Sequence, residues 1–259
     1  MISRRAFTMS MAAAGLGAAD RLNIGVGTFS YHSLSMDEMI ERLQALHISE
    51  IEMSRGEFML MHPPTREMCE SASATLARAK IRCVSYYTAT ITTDQDLEFA
   101  VRNAQIFGAA NVSGDATGPI LRRIDERFTH EGLTFGIHNH WFPRKFAYET
   151  VDDVLHGLSG LSKTMGATLD VGQMAACGQD PVDAVVRLAP YLKVVHLKDV
   201  EASGAEHNVL LGRGIAKIPE VMRELKRVAF KGLVAIEYEK EGDVDRDMRD
   251  EVEYARRLA

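Results

Sequence analysis

Cysteine is scarce: Cys69, Cys83 and Cys177 are the only three in 259 residues, odd in number and not in metal-ligand spacing. That excludes a disulfide framework and a thiolate zinc site, and it leaves buried free thiols. No apolar run approaches the roughly 18 to 20 residues needed to cross a membrane. A basic excess is also missing, since 30 Lys and Arg stand against 36 Asp and Glu, for a formal net charge of -6 with the two signs interspersed. A nucleic-acid surface needs a clustered basic face, so that partner class is excluded. The glycine-rich phosphate loop of a doubly wound sheet is absent too, because Gly25-Val26-Gly27 is not followed by the third glycine of that fingerprint.

What is present is an ordinary globular composition, 46% hydrophobic and 25% charged, with thirteen Met as core filler. Residues 1–20 form a separate object. Ser3-Arg4-Arg5-Ala6-Phe7-Thr8 precedes a weakly apolar run of small residues from Met9 to Ala19, a pattern similar to a twin-arginine export signal. The expected location is the periplasm or beyond if this segment acts as a signal, and the cytoplasm otherwise. From residue 21 onward, strand-like runs at 22–28, 48–54, 81–87, 109–113, 133–140, 167–171, 192–198 and 233–238 alternate with amphipathic helical runs. Eight strand-helix units with no linker or composition shift predict one (β/α)8 TIM barrel over residues 21–259. In such a barrel the chemistry sits at the C-terminal ends of the strands.

Four consecutive strands end on polar groups. Alternation turns Phe135 and Ile137 toward the helices and Gly136, His138 and His140 toward the barrel axis. On the sixth strand it turns Asp170 inward, on the seventh His196 and Lys198, and on the eighth Glu237 and Glu239. Carboxylates gathered in a confined mouth repel unless a cation neutralises them, and a mixed Asp, Glu and His donor set suits one divalent ion: Mn, Mg, Co, Zn or Fe.

At these residues the chain resembles the sugar phosphate isomerase/epimerase family, the xylose-isomerase-like TIM barrels. The specific pieces are Leu169-Asp170-Val171-Gly172, Val195-His196-Leu197-Lys198-Asp199, Leu211-Gly212-Arg213-Gly214-Ile215 and Ala235-Ile236-Glu237-Tyr238. The resemblance implies that Asp170, His196 and Glu237 are metal ligands. Where the family pattern has a fourth ligand, a Glu ending the fifth strand, this chain has His138 within His138-Asn139-His140, so the fourth candidate is His138 or His140, or Glu149 if the loop after the fifth strand folds back. Gln173 stands where the family often has a substrate-touching His.

The expected activity is metal-dependent sugar isomerisation or epimerisation, by removal of a proton next to a carbonyl. Glu237 or His138 acts as base, and Lys198 either bonds a substrate oxygen or pairs with Asp199 or Glu237. Two alternatives stand beside it: elimination from a keto-sugar or keto-glycoside at the same metal site, and a barrel that binds sugar without catalysis. A nuclease of the endonuclease-IV type needs more His and carboxylate ligands than these strand ends supply. The expected partner is a small carbohydrate, with a homo-oligomer as a further expectation. Candidate substrate contacts are Glu52 at the end of the second strand, Trp141 beside Phe142, Glu149, Gln173, His207 and Arg213. Tyr31 and His32, after the first strand, share that status.

Overall fold

Strand alternation and helix caps written into the sequence account for most elements of the computed structural model, which describes residues 21–54, 58, 64–88, 90–141, 147–205, 208–240 and 242–259. The strands are β1 (Asn23–Gly27), β2 (Glu50–Met53), β3 (Arg82–Tyr87), β4 (Asn111–Gly114), β5 (Thr134–His138), β6 (Met165–Asp170), β7 (Leu192–Leu197), β8 (Asp199–Val200), β9 (Asn208–Val209) and β10 (Leu233–Ile236). The helices are α1 (Met36–Ala45), α2 (Arg66–Arg78), α3 (Asp94–Phe107), α4 (Ile120–Glu131), α5 (Val151–Leu158), α6 (Val171–Ala176), α7 (Pro181–Leu188), α8 (Ile218–Arg227) and α9 (Val244–Leu258). The candidate export segment, Phe142 and His207 lie outside the described residues.

The barrel closes in the order β1-β10-β7-β6-β5-β4-β3-β2, with neighbouring strands parallel. The expected TIM barrel is therefore the fold. Helix starts follow local chemistry. Ser35 accepts from the Glu38 amide while the Glu38 carboxylate accepts from the Ser35 amide, and Thr93 with Asp96 and Thr150 with Asp153 repeat that box. Each such cap stabilises its helix by about 1 kcal/mol. Outward side chains of the strands, among them Phe135, Ile137, Val195, Leu197, Val234 and Ile236, are buried against the helices. Burying each contributes about 1.5–3 kcal/mol.

The barrel interior is small and becomes polar toward the mouth. Val84, Val194, Leu233 and Ala235 pack together inside it. Beside them lies a hydrogen-bonded belt from β3, β4 and β6. Asn111 Nδ2 donates to Ser85 Oγ at 3.0 Å and to Ser113 Oγ at 3.1 Å, and Ser113 Oγ and Thr168 Oγ1 are 2.7 Å apart. Gly136 is small because β6 passes close by: a Cβ there would run into Thr168 Oγ1.

Two features go beyond the expected pattern. Helix α6 begins directly after β6, and the short β8–β9 ribbon interrupts the loop after β7.

Candidate metal centre at the barrel mouth

Parallel pairing brings the strand ends together in register. Asp170 on β6 lies beside His196 on β7, and His196 lies beside Ala235 on β10, two residues before Glu237. His138 ends β5 beside Thr168. His138, Asp170 and His196 are all buried, and their potential ligand atoms lie within 4.8 Å of one another.

Local bonds aim these atoms. Asp170 caps α6, so its Oδ1 accepts the Gln173 amide at 2.8 Å while Oδ2 is left over. The Asn139 side chain makes a reciprocal pair with the Asp170 backbone, donating to its O at 3.0 Å and accepting from its N at 2.9 Å, which ties the end of β5 to β6. His138 Nδ1 faces Tyr87 Oη at 3.0 Å and His140 Nε2 at 2.9 Å. Its Nε2 is thereby turned toward Asp170 Oδ2, 3.9 Å away. His196 Nε2 lies 2.5 Å from Glu52 Oε2, and its Nδ1 lies 3.4 Å from Glu237 Oε2.

The outcome is three buried atoms, His138 Nε2, Asp170 Oδ2 and His196 Nδ1, that lack a well-formed hydrogen bond; the last two have only longer ion-pair contacts, Asp170 Oδ2 to Lys198 at 3.3 Å and His196 Nδ1 to Glu237 at 3.4 Å. Leaving a buried polar atom unbonded costs about 1–3 kcal/mol, and buried polar groups are normally satisfied. Three such atoms on three adjacent strands, converging with the Glu237 carboxylate, fit a single cation bound by imidazole and carboxylate. The residues present therefore suit the expected divalent ion.

Lys198 supplies a resident positive charge. Its Nζ lies 3.3 Å from Asp170 Oδ2, 3.0 Å from Glu237 Oε2 and 3.1 Å from Glu239 Oε2. Asp199, the other expected partner, instead accepts the amides of Val200, Gly212, Gly214 and Ala216 at 2.9–3.0 Å. The Leu211–Ile215 motif is thus explained by a buried carboxylate that folds the loop around itself.

Burial opposes the charge of Lys198, but Asp170, Glu237 and Glu239 outweigh it and hold its pKa well above the usual value. Burial likewise opposes the charge of His196, and Glu52 and Glu237 reverse that effect. His138 is driven the other way, by burial and by the neighbouring His140 and His196, so it is neutral and free to act as a ligand. Burial raises Glu237, yet Lys198 and His196 prevail and keep it ionised.

The remaining candidates divide. His140 is brought to Tyr87 Oη at 3.1 Å and Asp115 Oδ2 at 3.6 Å, on the far side of His138 from Asp170. Asp115, His138 and His140 form a second group of potential ligands, but there the two imidazoles already bond to each other. Trp141 is half-buried at the rim, where its amide donates to Gln173 Oε1 at 2.8 Å. Gln173 therefore anchors the loop after β5. Glu149 sits just before α5, its amide donating to Asp153, and its charge helps push the Cys177 thiol up to about 12, after burial. Arg213 is exposed in a groove with Glu251 and Tyr254 on α9, away from the cage. Glu52, expected at substrate hydroxyls, is fully buried, with its oxygens taken by His196 and Ser85. Tyr31 is buried against the groove between α1 and α9, and His32 is exposed and bonded to Phe29 O.

Sequence reasoning missed Tyr87 and Asp115. Ser85 and Tyr87 share the inward face of β3, but the register shift against β2 that skips Val84 turns Val84 inward as well, so alternation alone gave only a weak signal for Tyr87. Asp115 follows β4 directly, but that strand is only four residues long and its polar Asn111 and Ser113 obscure the pattern.

Comparison with known proteins bears on this geometry. A family model described as "Xylose isomerase-like TIM barrel" matches residues 115–258. No curated protein matches the chain. Among solved structures, an uncharacterized protein from Parabacteroides distasonis superposes with a TM-score of 0.68 at 23% identity, covering 92% of this chain and 99% of that one. A 3-keto-D-glucoside 4-epimerase from E. coli gives 0.73 at 13%, covering 92% and 100%. A D-psicose 3-epimerase from Clostridium cellulolyticum gives 0.70 at 12%, covering 91% and 99%. At these identities the likeness establishes the fold alone.

Proposed function

Because the chain belongs to the xylose isomerase-like TIM barrel family, we propose that it is a divalent-metal-dependent enzyme that isomerises or epimerises a sugar by moving a proton at a carbon next to a carbonyl. The observation that carries this reading is the convergence of His138, Asp170 and His196 beside Glu237, with His138 Nε2, Asp170 Oδ2 and His196 Nδ1 lacking a well-formed hydrogen bond. These four residues would hold the ion, which when bound supplies Lewis-acid polarisation of the substrate carbonyl.

The chain's own residues account for the rest. Glu237, kept ionised by Lys198 and His196, is the carboxylate placed to take the proton. Lys198 fixes the Glu237 and Asp170 carboxylates and has N–H groups to offer a substrate oxygen as negative charge develops there. Trp141 gives the rim an apolar face on which a sugar ring can pack. The carboxylates of Glu52, Asp170, Glu237 and Glu239 outnumber the one lysine at the mouth, Lys198, which favours a neutral sugar over a phosphorylated one.

Elimination is the second reading, and His138 favours it. Returning a proton from the opposite face calls for a second base, and β5 here presents a neutral imidazole where the family pattern has a carboxylate. Expelling a leaving group beta to the lost proton requires only one. Incubation of the Mn-loaded protein with ketoses and 3-keto-glycosides in deuterated water separates the two. Deuterium gained with the glycosidic bond intact supports isomerisation, and release of the aglycone supports elimination. Neither outcome with any sugar of either class would refute catalysis and leave a binding barrel.

A further inference from the structure

Glu52 ends β2 with its carboxylate fully buried, although the proposed reaction calls for no carboxylate there. A buried carboxylate is costly unless paired and hydrogen-bonded, and both conditions are met. Oε2 lies 2.5 Å from His196 Nε2, and Oε1 accepts from Ser85 Oγ at 2.7 Å. Ser85 Oγ is itself held by Asn111 Nδ2 at 3.0 Å and lies 3.3 Å from Ser113 Oγ, which reaches Thr168 Oγ1. The carboxylate is thus fixed by a belt drawn from three other strands, and it is aimed at one nitrogen of one histidine.

An imidazole has two nitrogens, and the bond made by one decides what the other presents. We propose that Glu52 is a positioning residue: it accepts the Nε2–H of His196, fixing the ring plane and leaving Nδ1 bare toward His138 Nε2 and Asp170 Oδ2 as a metal ligand. The carboxylate also makes the opposite nitrogen a better electron donor. This role rests on the metal centre proposed above, and it assigns Glu52 to the ion rather than to the sugar.

The test titrates Co(II) into the chelator-stripped full chain, in competition with a chelating indicator, while recording the Co(II) ligand-field spectrum. Glu52→Gln keeps the shape but loses the charge. It is expected to weaken Co(II) binding about 10–100-fold and to shift the visible bands. Ser85→Ala, which frees Oε1 of Glu52, moves both readouts the same way by less. A purely structural role for Glu52 gives a different result, a lowered unfolding midpoint with affinity and spectrum unchanged, and that result overturns the proposal. Should Glu52→Gln not fold, Ser85→Ala with wild-type affinity and spectrum overturns it equally. A wild-type chain that binds no Co(II) removes the metal centre and this role together, whereas tight wild-type binding that Glu52→Gln leaves intact removes this role alone.

Discussion

At the scale of single residues, the mouth of the barrel is a balance of buried charges. His196 is held between Glu52 and Glu237, and Lys198 between Asp170, Glu237 and Glu239. Removing one partner from such an arrangement leaves uncompensated charge behind. Lys198→Met is therefore expected to destabilise the metal-free protein by about 3–5 kcal/mol in urea unfolding. Added Mn is expected to restore much of that loss, since the ion neutralises the same carboxylates; no recovery with Mn would separate the lysine from the ion site. Glu237→Gln should lower turnover by about 10²–10⁴-fold while the folded signal in circular dichroism is retained. His196→Ala should abolish stoichiometric metal, as read by elemental analysis of the purified chain. Full occupancy in that variant would remove His196 from the ligand set.

At the scale of elements, short polar devices decide where strands and loops stop. Asp170 ends β6 by capping α6, and that cap is what leaves its second oxygen facing His138. Asp199 folds the loop between β9 and α8 by collecting three of its amides, those of Gly212, Gly214 and Ala216. Glu251 on α9 holds the same loop from outside, accepting the Leu211 amide at 3.1 Å, and burial pushes its carboxyl up to about 8. Its folded pKa lies above the unfolded value, so the native state binds the proton more tightly. The stability it contributes is full below about pH 4.5 and is lost as pH rises through about 8. Glu251→Gln keeps the acceptor and removes the titration. Its unfolding free energy is expected to match wild type near pH 5 and to exceed it by about 1–3 kcal/mol at pH 8.5. Parallel pH-dependence in the two proteins would show that Glu251 is not the group responsible.

At the scale of the whole molecule, the closed barrel is the frame that makes a shared ion worth binding. The proposed ligands come from β5, β6, β7 and the end of β10, and none of them is near the others in the unfolded chain. Binding that depends on the folded arrangement stabilises it by mass action, by about 2.7 kcal/mol when free ion is a hundredfold above its dissociation constant. Scanning calorimetry should accordingly show a midpoint that rises with Mn or Co concentration and falls back on chelation. A midpoint indifferent to both ions would count against the cage.

The sequence alone determined the barrel and most of its mouth. Period-2 alternation on 133–140, 167–171, 192–198 and 233–238 turned His138, Asp170, His196, Lys198 and Glu237 to one side, because backbone geometry fixes which faces successive side chains take. Caps at Ser35, Thr93 and Thr150 were equally local and equally legible. Tertiary structure alone decided which inward groups meet. Alternation cannot say that Glu52 crosses the barrel to His196, nor that Asp199 serves a loop while Lys198 serves the site. It cannot separate His138 from His140, which share a face but diverge once β5 ends at residue 138. Those pairings depend on closure of the sheet and on strand register, and both are set by packing between segments distant in sequence.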